Sequence, residues 1–331
     1  MSVTVLIVNW NGGALLTRCL EHLGKQTVQP ERILLIDNAS SDNSAAMAGA
    51  FSEVVVHRLN TNLGFAAGNN YALSECKTEF AALLNPDAFP EPDWLERLLA
   101  AAKIHPDAAA FGSRLLRHGN PEFLDGIGDN YHMSGLVWRD RHGVRQQAGD
   151  LAPQEIFSPC AAAALYRRQA LADVGGFDED YFCYVEDVDL GFRLRLAGYK
   201  AMYVPDAVVH HVGSATTGGQ HSDFSVYHGH RNLVWTYIKD MPGALFWLLL
   251  PLHLLLNLVA IVWFTLRGQY RVILRAKLDA IKGLPRMWAK RRKIQAARVA
   301  SVWEVWRVLN KRLFPSKRSY WMKVAHEVTE E

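Results

Sequence analysis

The chain has 331 residues, 50% of them hydrophobic and 21% charged, with a formal net charge of +3. Apolar mass on that scale excludes disordered, collagen-like and low-complexity classes and suggests about two domains. The net charge conceals a division: residues 267–331 hold 17 Lys and Arg against 5 Asp and Glu, or +12, which leaves −9 on residues 1–266. An acidic body joined to a basic segment calls for a partner that answers the excess charge.

MSVTVLIVNW opens without a basic n-region or a small-residue cleavage site, so it is expected to form a first strand, Val3–Val8, rather than a secretion leader. Ala14–Leu23 has helical spacing, with Leu15, Leu16, Cys19, Leu20 and Leu23 on one face. Ile33–Ile36, Val54–Val56 and Ala81–Leu84 follow as strands, and Pro90 is expected to open a helix through Ala102. This alternation predicts a three-layer α/β fold with a mostly parallel central sheet, whose ligands bind at the carboxyl ends of its strands. Residues 112–158 are rich in Gly, Asp, Arg and His with weak periodicity, and are expected to be long functional loops. Beyond them come an apolar run Ala161–Tyr166, a helix Arg168–Val174 ending at Gly175-Gly176, a helix from Glu186 to Gly198 and a strand Ala201–Val204. Four cysteines, Cys19, Cys76, Cys160 and Cys183, lack CxxC spacing and predict reduced thiols in a cytosolic setting.

Four polar clusters end the first four strands: Asn9-Trp10-Asn11-Gly12-Gly13, Asp37-Asn38-Ala39-Ser40-Ser41-Asp42, Asn62 through Asn70, and Asn85-Pro86-Asp87. Any one could be ordinary turn chemistry. Together, on one edge of a parallel sheet, they describe a pocket of amides and carboxylates. The chain lacks GxGxxG after strand one and lacks GxxxxGK[ST], so neither dinucleotide nor P-loop chemistry neutralises a phosphate here. A carboxylate holding Mg²⁺ or Mn²⁺ is the remaining route, and Asp87 fits an oxygen ligand. Six carboxylates then fall within 178–189, among Tyr181, Phe182 and Tyr184 at the start of a helix. Helix capping accounts for one or two; burial among aromatics would raise another toward a useful base. His210-His211 ends a further apolar run, Ala207–Val209, and is a candidate metal ligand pair.

VTVLIVNWNG, LLIDNASSD, NLGFAAGNN, LLNPDA, GGFDEDYFCYVEDVDLGFRLRLAGYK and HHVG occur in an order that resembles the inverting family-2 glycosyltransferases of GT-A fold, over roughly residues 1–240. The likeness is greatest to bacterial rhamnosyltransferases. It implies a donor half over about 1–115 and an acceptor and base half over about 116–240. It also implies that Asp37 and Asn38, with Asn9, Trp10 and Asn70, surround the base and ribose of a nucleotide-sugar. Asn85-Pro86-Asp87 stands at the Asp-X-Asp position, with Asn85 a neutral ribose contact and Asp87 the metal ligand. Asp187 matches the general base, Glu186 and Asp189 lie on the acceptor side, and His210 or His211 matches a late metal-binding histidine. Best matched is transfer of L-rhamnose from dTDP-rhamnose, with UDP-hexoses as the alternative donors. A nucleotidyltransferase would carry a basic Gly-rich loop near its N-terminus, and a non-catalytic scaffold would be expected to lose acids at 87 and 187.

Residues 244–266 are 23 uncharged residues, long enough to span a bilayer, interrupted by Pro251, His253 and Asn257. One crossing from a cytosolic body would place the basic segment outside, against the positive-inside tendency. A monotopic or re-entrant insertion at the cytoplasmic face of the cytoplasmic membrane is therefore expected, giving residues 241–331 as a helical, membrane-associating region. Ile273, Leu274, Leu278 and Ile281 are expected on one side of a helix, with Arg271, Arg275, Lys277 and Lys282 supplying charge. Val299, Trp303, Trp306 and Leu313 line a second, and six of the ten tryptophans fall at or after Trp247. Lys290-Arg291-Arg292-Lys293 also suits nucleic acid, but no binding motif accompanies it, so an anionic membrane surface and a lipid-linked saccharide acceptor are the expected partners.

Overall fold

The computed structural model describes residues 1–213 and 221–312. Its first half is β1 (Val3–Asn9), α1 (Gly13–Leu23), β2 (Arg32–Asp37), α2 (Ser44–Ala48), β3 (Val54–Arg58), α3 (Gly64–Glu75), β4 (Phe80–Leu84), β5 (Ala88–Pro90) and α4 (Trp94–Ile104). It continues through β6 (Ala108–Arg117), β7 (Leu124–Gly126), β8 (Asp129–Tyr131), β9 (Val137–Arg139), β10 (Gln154–Glu155), β11 (Ala163–Arg167), α5 (Arg168–Asp173), α6 (Glu186–Leu196) and β12 (Lys200–His211). The C-terminal helices are α7 (Asp223–Asp240), α8 (Gly243–Leu266), α9 (Tyr270–Lys282), α10 (Leu284–Ala296) and α11 (Val302–Val308).

The main sheet runs β10-β12-β6-β11-β4-β1-β2-β3, with β5 paired to β12 and β7 to β6. β3, β2, β1 and β4 are parallel, as are β6 and β12; β11 is inserted antiparallel between β4 and β6. The sheet, expected to be mostly parallel, is a mixed one that is parallel through β3-β2-β1-β4 and through β6-β12. Every residue of β4 is buried, as a strand covered on both faces requires. One core cluster packs α1 and α4 on one face, through Leu16, Leu20, Trp94 and Leu98, and another packs α3 and α6 on the other, through Ala66, Ala72, Leu190 and Leu194.

Two expectations are corrected. Pro90 does not open a helix: it closes β5, where Val209, His210 and His211 pair with Pro90, Phe89 and Ala88, and the helix starts at Trp94. Residues 112–158 are not all loop, because β6 extends to Arg117 and four short strands follow. Their pairing is spread over short ladders, which leaves little periodicity to read in sequence.

The basic segment folds onto the acidic body. Tyr131, Phe157, Val188 and Phe192 share a core with Tyr237, Leu245, Phe246, Leu249, Val305 and Leu309. Among the described residues α8 is the one helix long and apolar enough to cross a membrane, and 28% of its most apolar stretch is buried. That buried side includes Leu245, Phe246, Leu249, His253 and Phe264, while Leu248, Leu255, Leu258, Val262 and Leu266 face outward. The polar interruptions point inward: His253 stacks on Tyr237 with centroids 4.0 Å apart and its Nδ1 lies 2.8 Å from the Ser134 carbonyl, and Asn257 donates to the His253 carbonyl. On α9, Ile273 is buried against the body, contrary to the expected stripe, while Leu274, Leu278 and Ile281 remain exposed. Val299 and Trp303 are exposed, Trp306 is half-buried, and Leu313 lies outside the described residues.

Candidate active site

Sheet register brings the polar clusters to one edge. Asn9 ends β1 directly beside Asp37, which ends β2. Asn9 is fully buried: its amide donates to Asp37 Oδ1 at 3.1 Å and to the hydroxyls of Ser40 and Ser44, and its carbonyl accepts from Gly12 N. Its side chain thereby holds the two loops and Asp37 together. Asn38 is likewise committed, donating to Asn62 Oδ1 and the Gly64 carbonyl and accepting from Leu63 N. Asn70 bridges to the second half of the molecule, exchanging hydrogen bonds with the backbone of Phe177 and donating to Glu179 Oε1. These three asparagines shape the rim. Trp10 is exposed at the mouth, and Asp37 keeps its second oxygen outside these contacts.

β4 ends at Leu84; the N–H of the next residue, Asn85, donates to the Ala162 carbonyl, and the chain then turns into β5 alongside β12. This puts Asp87 next to His211: Asp87 Oδ1 is 3.3 Å from His211 Nε2, and Oδ2 accepts from Gly213 N at 3.2 Å. The other ring nitrogen, Nδ1, donates to Asp125 Oδ2 at 2.8 Å. Adjacent residues of a strand point to opposite faces. Accordingly His210 turns away and meets Glu91 Oε1 at 2.9 Å, which removes it from Asp87. Burial works against a charge on His211, but Asp125 and Asp87 outweigh it and hold the imidazole up at about 9. Burial likewise opposes the Asp87 carboxylate, and His211 more than compensates, so its pKa lies below the ordinary value.

A divalent cation can be tested against these atoms. His211 Nε2 is buried, has no hydrogen-bond partner and points at a carboxylate. A carboxylate oxygen beside an imidazole nitrogen whose far nitrogen is fixed by a second carboxylate is a fitting donor set for Mg²⁺ or Mn²⁺.

Asp187 lies in the first turn of α6, its Oδ1 accepting from Val188 N at 2.9 Å and its Oδ2 from Ala161 N at 3.2 Å. It forms a group with Asp129 and Cys160 whose ligand atoms all lie within 4.8 Å. Burial pushes the Asp187 carboxyl up, against its amide donors and Arg139, and pushes Asp129 and Glu186 well up, each aided by the charge of Asp187. Arg139 joins the two centres, 2.5 Å from Asp125 and 4.0 Å from Asp129. Glu186 is buried, with Oε2 unpartnered. Asp189, expected on the acceptor side, is fully buried between Arg193 and Lys239, and those cations hold its pKa below the ordinary value despite burial. Its carboxylate is thus engaged inside the fold rather than exposed on the acceptor side.

Sequence reasoning missed Asp125, Asp129 and Arg139, all within the stretch taken as loops. Their only signal was the density of Asp and Arg there.

The described geometry can be set beside known proteins. The model of the family "Glycosyl transferase family 2" matches residues 4–175, about half the chain. The chain is 29% identical over 322 residues to the N-acetylglucosaminyl-diphospho-decaprenol L-rhamnosyltransferase of Mycobacterium tuberculosis, covering 88% of this chain and 96% of that protein. It is 27% identical over 214 residues to the O-antigen chain rhamnosyltransferase WbaN of Salmonella anatum, covering 63% of this chain and 66% of that one. Among solved structures, the mannosyltransferase PcManGT of Pyrobaculum calidifontis, in complex with GDP-Man and Mn²⁺, superposes with a TM-score of 0.53 at 18% identity, over 92% of this chain and 87% of that one. At that identity the likeness shows a shared GT-A-like fold. The chain belongs to glycosyl transferase family 2 and is a glycosyltransferase.

Proposed function

We propose that this enzyme transfers L-rhamnose, with inversion, from dTDP-L-rhamnose to a lipid-linked saccharide in cell-envelope synthesis. The observation that carries the reading is the pairing of two centres at one strand edge, Asp87 with His211 and the raised carboxyl Asp187, joined through Asp125, Arg139 and Asp129. Support for the sugar and the acceptor class comes from the rhamnosyltransferases it resembles.

Asp37 and Trp10 border the nucleoside, and Asn85 flanks its ribose. Asp87 and His211 would hold Mg²⁺ or Mn²⁺, which when bound offsets charge on the nucleoside diphosphate. Asp187 takes the proton of an acceptor hydroxyl as that oxygen bonds to the anomeric carbon. The bond from that carbon to the diphosphate oxygen breaks on the opposite face, so a single displacement inverts the configuration. A positioned base contributes roughly 10²–10⁴ in rate. The outward apolar residues of α8 and α9, fringed by Arg271, Arg275 and Lys282, support a monotopic seat on the cytoplasmic membrane surface, where a lipid-linked acceptor is met.

The test incubates purified protein with dTDP-L-rhamnose and with UDP-hexoses, N-acetylglucosaminyl-diphospho-decaprenol as acceptor, and Mn²⁺ or EDTA. Metal-dependent transfer from dTDP-L-rhamnose with an inverted product is expected. Transfer from a UDP-hexose alone would overturn the donor, and no transfer from any donor would overturn the reading.

A further inference from the structure

The segment Asp178–Val185, which delivers Glu186 and Asp187 to the start of α6, has a backbone the sequence cannot hold by itself. Phe182, Tyr184 and Val185 have φ of 63°, 65° and 71°, a left-handed region that a β-branched or aromatic residue rarely enters. Such backbone persists only where the surroundings over-determine it.

Those surroundings come from three directions. From α7, the buried Asn232 amide faces the carbonyls of Tyr181, Cys183 and Tyr184 at 3.1, 2.9 and 2.8 Å, and Arg231 donates to those of Asp180 and Tyr181 at 3.2 and 2.9 Å. From α10, Lys290 binds both Asp178 and Asp180, and Arg286 lies 2.8 Å from Asp180. From the donor half, Ala66 N donates to the Phe182 carbonyl, and the Phe182 ring sits where a side chain at Gly64 would be, 2.6 Å from a Cβ placed there. Gly64 itself has φ +83°, so only glycine serves both needs.

We infer that Asn232, Arg231 and Lys290 are positioning residues that clamp this segment from the C-terminal helices and so fix the catalytic reach of Asp187. The basic helices are thereby part of the transfer machinery as well as a seat on the membrane. Two of the four residues in the basic run serve internally: Lys290 on the acidic segment, and Arg291, which is buried and donates to the carbonyls of Ile238 and Met241.

The inference rests on the proposed role of Asp187, and its test separates the two. Full-length Asn232→Ala, Lys290→Ala and Lys290→Arg are prepared in detergent and assayed with dTDP-L-rhamnose and N-acetylglucosaminyl-diphospho-decaprenol. A displaced catalytic group costs about 10²-fold, so kcat is expected to fall by up to that factor in both alanine variants with donor KM unchanged, and Lys290→Arg to recover most of it. Amide hydrogen exchange without substrate is expected to rise in residues 178–188 alone, with the melting temperature of Lys290→Ala near wild type. Unchanged exchange in that segment, or exchange rising throughout the chain, would overturn the clamp. Retained kcat in Lys290→Ala would do the same. If the wild-type protein transfers nothing from this donor, the proposed reaction fails while exchange still decides the clamp.

Discussion

His210 and His211 are neighbours in sequence and opposites in space. The HHVG run leaves both open as metal ligands, and only the strand's alternation separates them, placing His211 against Asp87 and His210 against Glu91. His211→Ala is therefore expected to weaken Mn²⁺-supported donor binding by at least about tenfold, of the order seen when a metal's supporting ligands are lost. His210→Ala is expected to leave it unchanged; isothermal titration of the nucleotide with Mn²⁺ checks both. Asp187 carries a second expectation. Its pKa is raised above that of an ordinary carboxyl, and a base acts only when ionised. Transfer should thus be full at higher pH and fall as pH drops through that raised value, sooner than for an ordinary carboxylate, in a kcat against pH profile. The bracing roles of Asn9, Asn38 and Asn70 were not legible, because sequence shows an amide at a strand end or in a helix and not what it bonds.

Elements with a clear run or stripe of apolar residues were readable: β1 to β4, α1 and α6 lie within a residue or two of the spans expected from periodicity. Short pieces were not. β5, three residues long, pairs with β12 across more than a hundred positions, and local pattern holds no trace of such a partner. The acidic run on α6 shows the same limit from another side. Asp189 is buried with Arg193, Lys239, Asp178 and Asp240. Burial and the charge of Asp189 push the Asp240 carboxyl well up, against the pull of Lys239 and Arg193. Removing one buried partner strands a charge, and Lys239→Met is expected to destabilise the fold by about 3–5 kcal/mol in denaturant unfolding. The double variant Lys239→Met with Asp189→Leu should recover part of that loss.

At the scale of the whole molecule, the division between a −9 body and a +12 segment is real in sequence but does not separate two bodies in space. Arg286 and Lys290 of the basic segment meet Asp178 and Asp180 of the acidic body, so part of the asymmetry is answered inside the fold. The outer face of the described C-terminal region exposes Arg271, Arg275, Lys282, Arg292 and Lys293 together with Leu258, Trp303 and Val299, the last three each more than half exposed. That face is expected to bind vesicles containing anionic lipid and to release them as salt rises. Leu258→Glu together with Trp303→Ala should reduce co-flotation with such vesicles while leaving the melting temperature unchanged, since neither side chain is part of the core.

In the proposed reaction Asp87 and His211 serve the donor and Asp187 the acceptor. Asp187→Asn, assayed for turnover and for binding of dTDP-L-rhamnose with Mn²⁺, checks that division of roles. Turnover is predicted to fall by about 10²–10⁴-fold with donor affinity unchanged. Loss of donor binding alongside turnover, or turnover retained, would contradict it.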